Sequence, residues 1–316
     1  MFSMKLKLEK HIEIKGKDAQ LINKAITDVI KDFTIRANIK KLKKLRVYVT
    51  KDPVDTARKI IIPRVRLNRH SEIREWICQN APSFSYWGEG QPPTIMMDVN
   101  EKIFKKRNYY AIKGLFAHEL MHLMNKLDGI EDELEDAAEK ASRYIFYLLA
   151  EHKDVKPFTR DGLLSSLIRV TTSSLLFIKD ILANTRAMSF GFDDELYEHY
   201  KISLKGVIEE IKFTETGIIK TLKRDRKHAL DDAFLTYLGL NTSWITFKMF
   251  HNNWYIDLQK IVSIEVPPII KRNCDPILKE LLNLRSANDE KQIAKIIRLT
   301  QQNYYKVVHY FCKKLR

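Results

Sequence analysis

Along residues 4–15, MKLKLEKHIEIK, apolar and charged positions alternate, the period-two signature of a strand with one buried face. From 18 to 36 the period lengthens. Leu21, Ile22, Ala25, Ile26, Val29, Ile30 and Phe33 fall at helical spacing behind Asp18, a capping residue. LRVYVT (45–50) and KIIIPRVRL (59–67) predict strands, with Pro63 making the second an edge or a bulge. A short helix is expected over 71–81. A loop is expected over 81–93, APSFSYWGEGQPP, where proline, glycine and aromatic residues crowd together. TIMMDVN (94–100) reads as a short apolar strand.

Helices follow. NYYAIKGLFAHELMHLMNKL (108–127) ends at Asp128-Gly129, where glycine suits a left-handed terminus, and 130–152 carries a second amphipathic pattern. Beyond Pro157 the pattern stays helical, with breaks expected at 189–194, 239–243 and 266–268. The most apolar stretch, 163–183, contains Arg169, Lys179 and Asp180. Three charges suit a buried helix pair better than a membrane span. Strands before helices predict an α+β chain, a small N-terminal mixed sheet with helices followed by a mostly helical C-terminal half. A division near 157 is expected, with 1–157 carrying the chemistry described next and 158–316 completing its site and cleft.

Composition narrows the class. The 316 residues are 45% hydrophobic and 30% charged, with only 10 Gly and 9 Pro, which excludes a low-complexity or disordered chain. Cys78, Cys274 and Cys312 are far apart and form no CxxC, which excludes a cysteine zinc site and argues for a reducing, cytoplasmic setting. The N-terminal stretch alternates instead of forming the apolar core of a signal peptide. The net charge is +15, and residues 201–316 hold 21 Lys and Arg against 12 Asp and Glu. These charges are dispersed, as on a solvated surface, and still leave nucleic acid open as a partner.

The chemistry is concentrated in AHELMHL. His118 and His122 lie four apart, one above the other on a helical face, and can present two imidazoles to one ion. Glu119 sits about 100° round the helix, within reach of a water at that ion. The flanking Leu115, Phe116, Leu120, Met121, Leu123 and Met124 are apolar, so these polar groups sit where they need partners. The stretch resembles the active-site helix of zincin metallopeptidases, and the preceding order of helix and strands is similar across roughly 18–190. The resemblance implies Zn2+ as cofactor, Glu119 as general base and a peptide or protein substrate. In that superfamily the last strand before the motif is an edge strand with which extended substrate pairs, here 94–99. No HExxHxxGxxH follows, so the chain departs from metzincins, and an acidic third ligand of the gluzincin or aspzincin kind is the better match.

Three acids compete for that place. Asp180 lies in LLFIKDILANTRAMSFGF among mostly apolar neighbours, where a carboxylate is costly unless paired or bound to metal. Its D-x-x-x-N resembles the helix that follows HExxH in some small metallopeptidases. Glu135 lies thirteen residues after His122, in an E-x-x-A that resembles the ligand helix of phage-type repressor-cleaving peptidases, yet five other acids crowd 131–139. His228, Asp231 and Asp232 resemble the E-x-x-x-D helix of membrane-linked zincins, with histidine in the glutamate's place. Burial of charge favours Asp180. His228 is also a candidate transition-state donor.

The leading expectation is therefore a zinc-dependent peptide hydrolase. A non-proteolytic zinc-binding regulator would need a fourth protein ligand. A basic nucleic-acid-binding protein would need an exposed aromatic and basic platform. QQNYYKVVHYFCKKLR (301–316) has that composition, but Tyr304, Val307, Val308 and Phe311 fall at helical spacing and read as core.

Overall fold

The structure is a computed structural model that describes residues 6–36, 42–60, 83–87, 92–207, 212–224, 226, 228–250, 253–262, 264–284 and 290–316. It is α+β, a small mixed sheet at the N-terminus followed by helices. The described elements run β1 (Lys7–Ile12), α1 (Lys17–Arg36), β2 (Lys44–Thr50), α2 (Pro53–Ile60), β3 (Ser83–Tyr86), β4 (Thr94–Asp98), α3 (Lys102–Lys105), α4 (Tyr109–Leu127) and α5 (Ile130–Glu151). Then come α6 (Arg160–Ser189), α7 (Asp193–Val207), α8 (Glu215–Leu222), α9 (His228–Met249), α10 (Trp254–Ile261), α11 (Pro268–Leu282) and α12 (Glu290–Leu315).

Two compact units share the chain. One contains Met1–Asp128 with Ala183–Ser203, the other Gly129–Leu182 with Leu204–Arg316. The units interleave, whereas the sequence suggests parts in chain order on either side of 157.

In the first unit the strand order is β1-β2-β4-β3, with β1, β2 and β4 parallel and β3 antiparallel to β4. β2 alternates between buried and half-buried residues, while Thr94–Met97 of β4 are all buried, as an interior strand requires. This corrects the expectation that 94–99 form an edge. β3 pairs with β4 from Ser83↔Met97 to Tyr86↔Thr94, and it is the terminal strand among the described residues. It arises from a segment read as loop, because the pairing partner decides its backbone and local composition does not. Of 59–67, residues 59 and 60 end α2, and the rest lies outside the described residues, as does all of 71–81. Ile22, Ala25, Ile26, Val29 and Phe33 of α1 are buried as predicted. Asp18 stands in the first turn of α1 and pairs with Arg107.

α4 begins at Asn108, whose side chain caps Ala111 N–H, and stops before Gly129, whose φ of 79° is left-handed. It is buried from Ala111 to Met121, an all-round burial that requires close neighbours. Gly114 provides one of them. A Cβ there would lie 2.1 Å from the Glu195 carbonyl oxygen of α7. Lys113 beside it reaches Glu195 at 2.9 Å and Asp32 at 3.3 Å. Burial pulls this ammonium down, and the two carboxylates more than offset it, so its pKa is raised.

The second unit is helical. The predicted break at 239–243 is absent, and α9 runs through it without interruption. Gly239 lies against Phe177 of α6, where a Cβ would come within 2.9 Å of the ring. This glycine therefore serves packing, leaving room for the Phe177 ring, and does not end a helix. The expected helix pair over 163–183 is one helix, α6, the one described helix long and apolar enough to cross a membrane. Its Arg169 bonds Asp232 at 2.7 Å in an exposed pair and its Lys179 lies 3.4 Å from Glu131, so both cations have carboxylate partners within the unit. Asp231, fully buried, accepts from Tyr304 Oη and from Ser166 Oγ at 3.1 Å. Tyr304, Val307, Val308 and Phe311 are core residues.

Candidate metal centre

Helical spacing on α4 stacks His118 on His122. Their Nε2 atoms are 3.1 Å apart and the rings stand edge to face at 4.6 Å. Two ligands about 2.0–2.1 Å from one tetrahedral ion lie roughly 3.3 Å apart, so the two nitrogens are close enough to share one ion. His118 is buried and His122 half-buried.

The tautomer of His118 follows from its neighbour. Its Nδ1 lies 2.8 Å from Asn184 Oδ1, and with the amide oxygen facing the ring Nδ1 donates and Nε2 keeps its lone pair. Asn184 Nδ2 in turn donates to Tyr200 Oη at 2.6 Å, so the amide bridges the imidazole and the phenol. Arg186, two residues on, bonds Asn125 Oδ1 at 3.0 Å and Asp128 at 2.7 Å, fastening the end of α6 along α4.

Asp180 lies one helical turn before Asn184 on the same unbroken helix. Its carboxylate and the two imidazoles form a group whose ligand atoms all lie within 4.8 Å of one another. Two nitrogens and one carboxylate are a donor set that fits a divalent transition ion. Among the described residues this is the one group of three or more such ligands.

Glu119 points elsewhere on the helix. It is 5% exposed, and its Oε1 accepts from Ser83 Oγ at 2.6 Å. The end of β3 thus adjoins the carboxylate.

The other acids have different work. The Glu135 side chain is 62% exposed and lies 3.4 Å from Lys179 Nζ, outside the metal-ligand group. Asp231 and Asp232 are occupied by Tyr304, Ser166 and Arg169. His228, whose side chain is 62% exposed, lies 3.4 Å from Asp231. None of these four residues joins the group. The sequence points to Asn184 only through D-x-x-x-N. Ser83 sits in an expected loop, and no spacing links it to Glu119. Tyr200, and His199 stacked 6.5 Å from His118, are equally silent in ELYEHY. Comparison with protein-family models, with curated proteins and with solved structures finds no match to this chain.

Proposed function

We propose that this chain is a zincin-type zinc-dependent peptide hydrolase, with His118, His122 and Asp180 as ligands and Glu119 as general base. The observation that carries the reading is the pairing of a three-ligand group with a separate buried carboxylate on the same helix. Three protein ligands leave one tetrahedral position open, as catalytic zinc sites do, whereas a structural site closes with a fourth. When bound, zinc supplies Lewis acidity that polarises a carbonyl and makes water a nucleophile near neutral pH.

The chain's own groups supply the rest. Glu119 accepts a proton from the attacking water and returns it to the departing amine. Ser83 holds one oxygen of Glu119 by its hydroxyl, which leaves the other oxygen for that transfer. Asn184 keeps His118 in the tautomer that offers Nε2. An extended peptide would add to the sheet at β3, the terminal described strand, and not at β4. Ser83 brings that strand next to the proposed base.

The test is cleavage of a denatured protein mixture by zinc-loaded enzyme, with new N-termini read by mass spectrometry. Cleavage is expected, reduced about 10²- to 10⁴-fold in Glu119→Gln, which should retain zinc. Cleavage that survives undiminished in Glu119→Gln would contradict the assignment.

A further inference from the structure

The second unit carries a feature unrelated to the metal ligands. α5 and α12 run side by side in the same direction. Lys140 pairs with Glu290 near one end of the contact, and the His152 ring meets the Tyr305 ring at 5.9 Å near the other. Between these points lies a depression of about 440 Å³ lined by Lys140, Arg143, Tyr144, Tyr147 and Arg298. Three of the five lining residues are cations, two are tyrosines and none is an acid.

The aromatic part is preformed. The Tyr144 and Tyr147 rings stack at 5.6 Å with their planes 18° apart. Tyr147 is 55% exposed, and its hydroxyl is held by Glu151, so one aromatic face is fixed and open to solvent. Phe146, on the same turn of α5, is 71% exposed. Exposed aromatic rings held in place beside cations are the makeup of a single-strand stacking platform.

The cations are placed for phosphate. Glu290 engages Lys140, while Arg143 and Arg298 stand exposed along the depression. A guanidinium offers a planar fork that matches phosphate oxygens in two bonds. We propose that this groove binds single-stranded nucleic acid, with bases stacked on Tyr147 and Tyr144 and phosphates on Arg143 and Arg298. A duplex hides its base faces and would leave the tyrosines without partners. An acidic peptide would satisfy the arginines alone. The net charge of +15 favours approach of a polyanion. In the stretch 301–316, the sequence's own candidate for such a platform, Tyr304, Val307, Val308 and Phe311 are core and Tyr305 and Tyr310 are half-buried, so it presents less aromatic surface than Tyr147 does.

The test is fluorescence anisotropy of full-length protein with a labelled oligothymidylate of about a dozen nucleotides across a salt series. Two phosphate contacts predict a slope of log affinity on log salt of roughly −1.4. The Arg143→Ala, Arg298→Ala double variant should bind at least about tenfold more weakly with a slope near zero. Tyr147→Leu should bind about tenfold more weakly with its slope unchanged, and Tyr147→Phe should bind as wild type. These residues are on the surface, and circular dichroism checks that each variant folds. Absence of binding at low salt would overturn the proposal. So would variants that bind as wild type, or a polyglutamate peptide that displaces the probe as effectively as unlabelled oligothymidylate.

Discussion

A single amide decides how the candidate centre is prepared. Asn184 bonds His118 Nδ1 on one side and Tyr200 Oη on the other, so the imidazole is held in one orientation. Replacing a group that orients a metal-binding histidine typically costs 10- to 100-fold in affinity. Asn184→Leu should therefore weaken zinc binding by about that factor, measured by competition with a chromophoric chelator, while leaving the ligand count intact. A second residue-scale prediction concerns the buried carboxylate of Asp231. Desolvation, and then Asp231 beside it, push the Tyr304 phenol well above its ordinary range, so this group donates and does not ionise. Tyr304→Phe removes that donor and should lower stability by about 1–3 kcal/mol in urea unfolding. At this scale the sequence is legible where chemistry is local. HExxH fixes its own geometry through the helical repeat, and a charge in an apolar run singles out Asp180. Ser83 and Tyr200 reach the site across 36 and 16 residues of chain, and only packing brings them there.

Elements were legible where periodicity was long and strong. α1, β2, β4, α4 and α5 lie close to their expected places because each sustains one period over its length. The failures are at glycines and in a turn-rich segment. Gly239 reads as a break but accommodates Phe177, and β3 hides among residues that favour turns. Gly114 gives the sharpest test of packing. Gly114→Ala puts a methyl 2.1 Å from the backbone oxygen of Glu195, so α4 or α7 must move. A loss of about 1–3 kcal/mol or more is expected from denaturant unfolding, although alanine is the better helix former. The β1–β2 pair carries a pH signature. Hydrogen bonds from Lys44 and then Arg46 hold the Glu9 carboxyl down to about 2, from an ordinary 4.5. A depressed carboxyl contributes stability above its ordinary range and loses it as pH falls toward the folded value. The urea midpoint of Glu9→Gln should thus lie below wild type at neutral pH, and the gap should close near pH 2.

At the scale of the whole molecule, the α+β class follows from strands preceding helices, but the arrangement into units does not. The chain enters the second unit after Asp128, returns to the first from Ala183 to Ser203, and leaves again. No composition shift marks these crossings, since the second falls within α6, where helical periodicity continues unchanged. The proposed catalytic reading depends on that continuous helix, which carries Asp180 one turn ahead of Asn184. The most direct measurement is the metal content of purified protein by mass spectrometry, wild type beside His122→Ala, Asp180→Ala and Glu135→Ala. The account predicts one zinc per chain in wild type and in Glu135→Ala, and loss of that zinc in His122→Ala and Asp180→Ala. Wild-type protein without metal after expression in ample zinc would contradict it, as would zinc retained in Asp180→Ala and lost in Glu135→Ala.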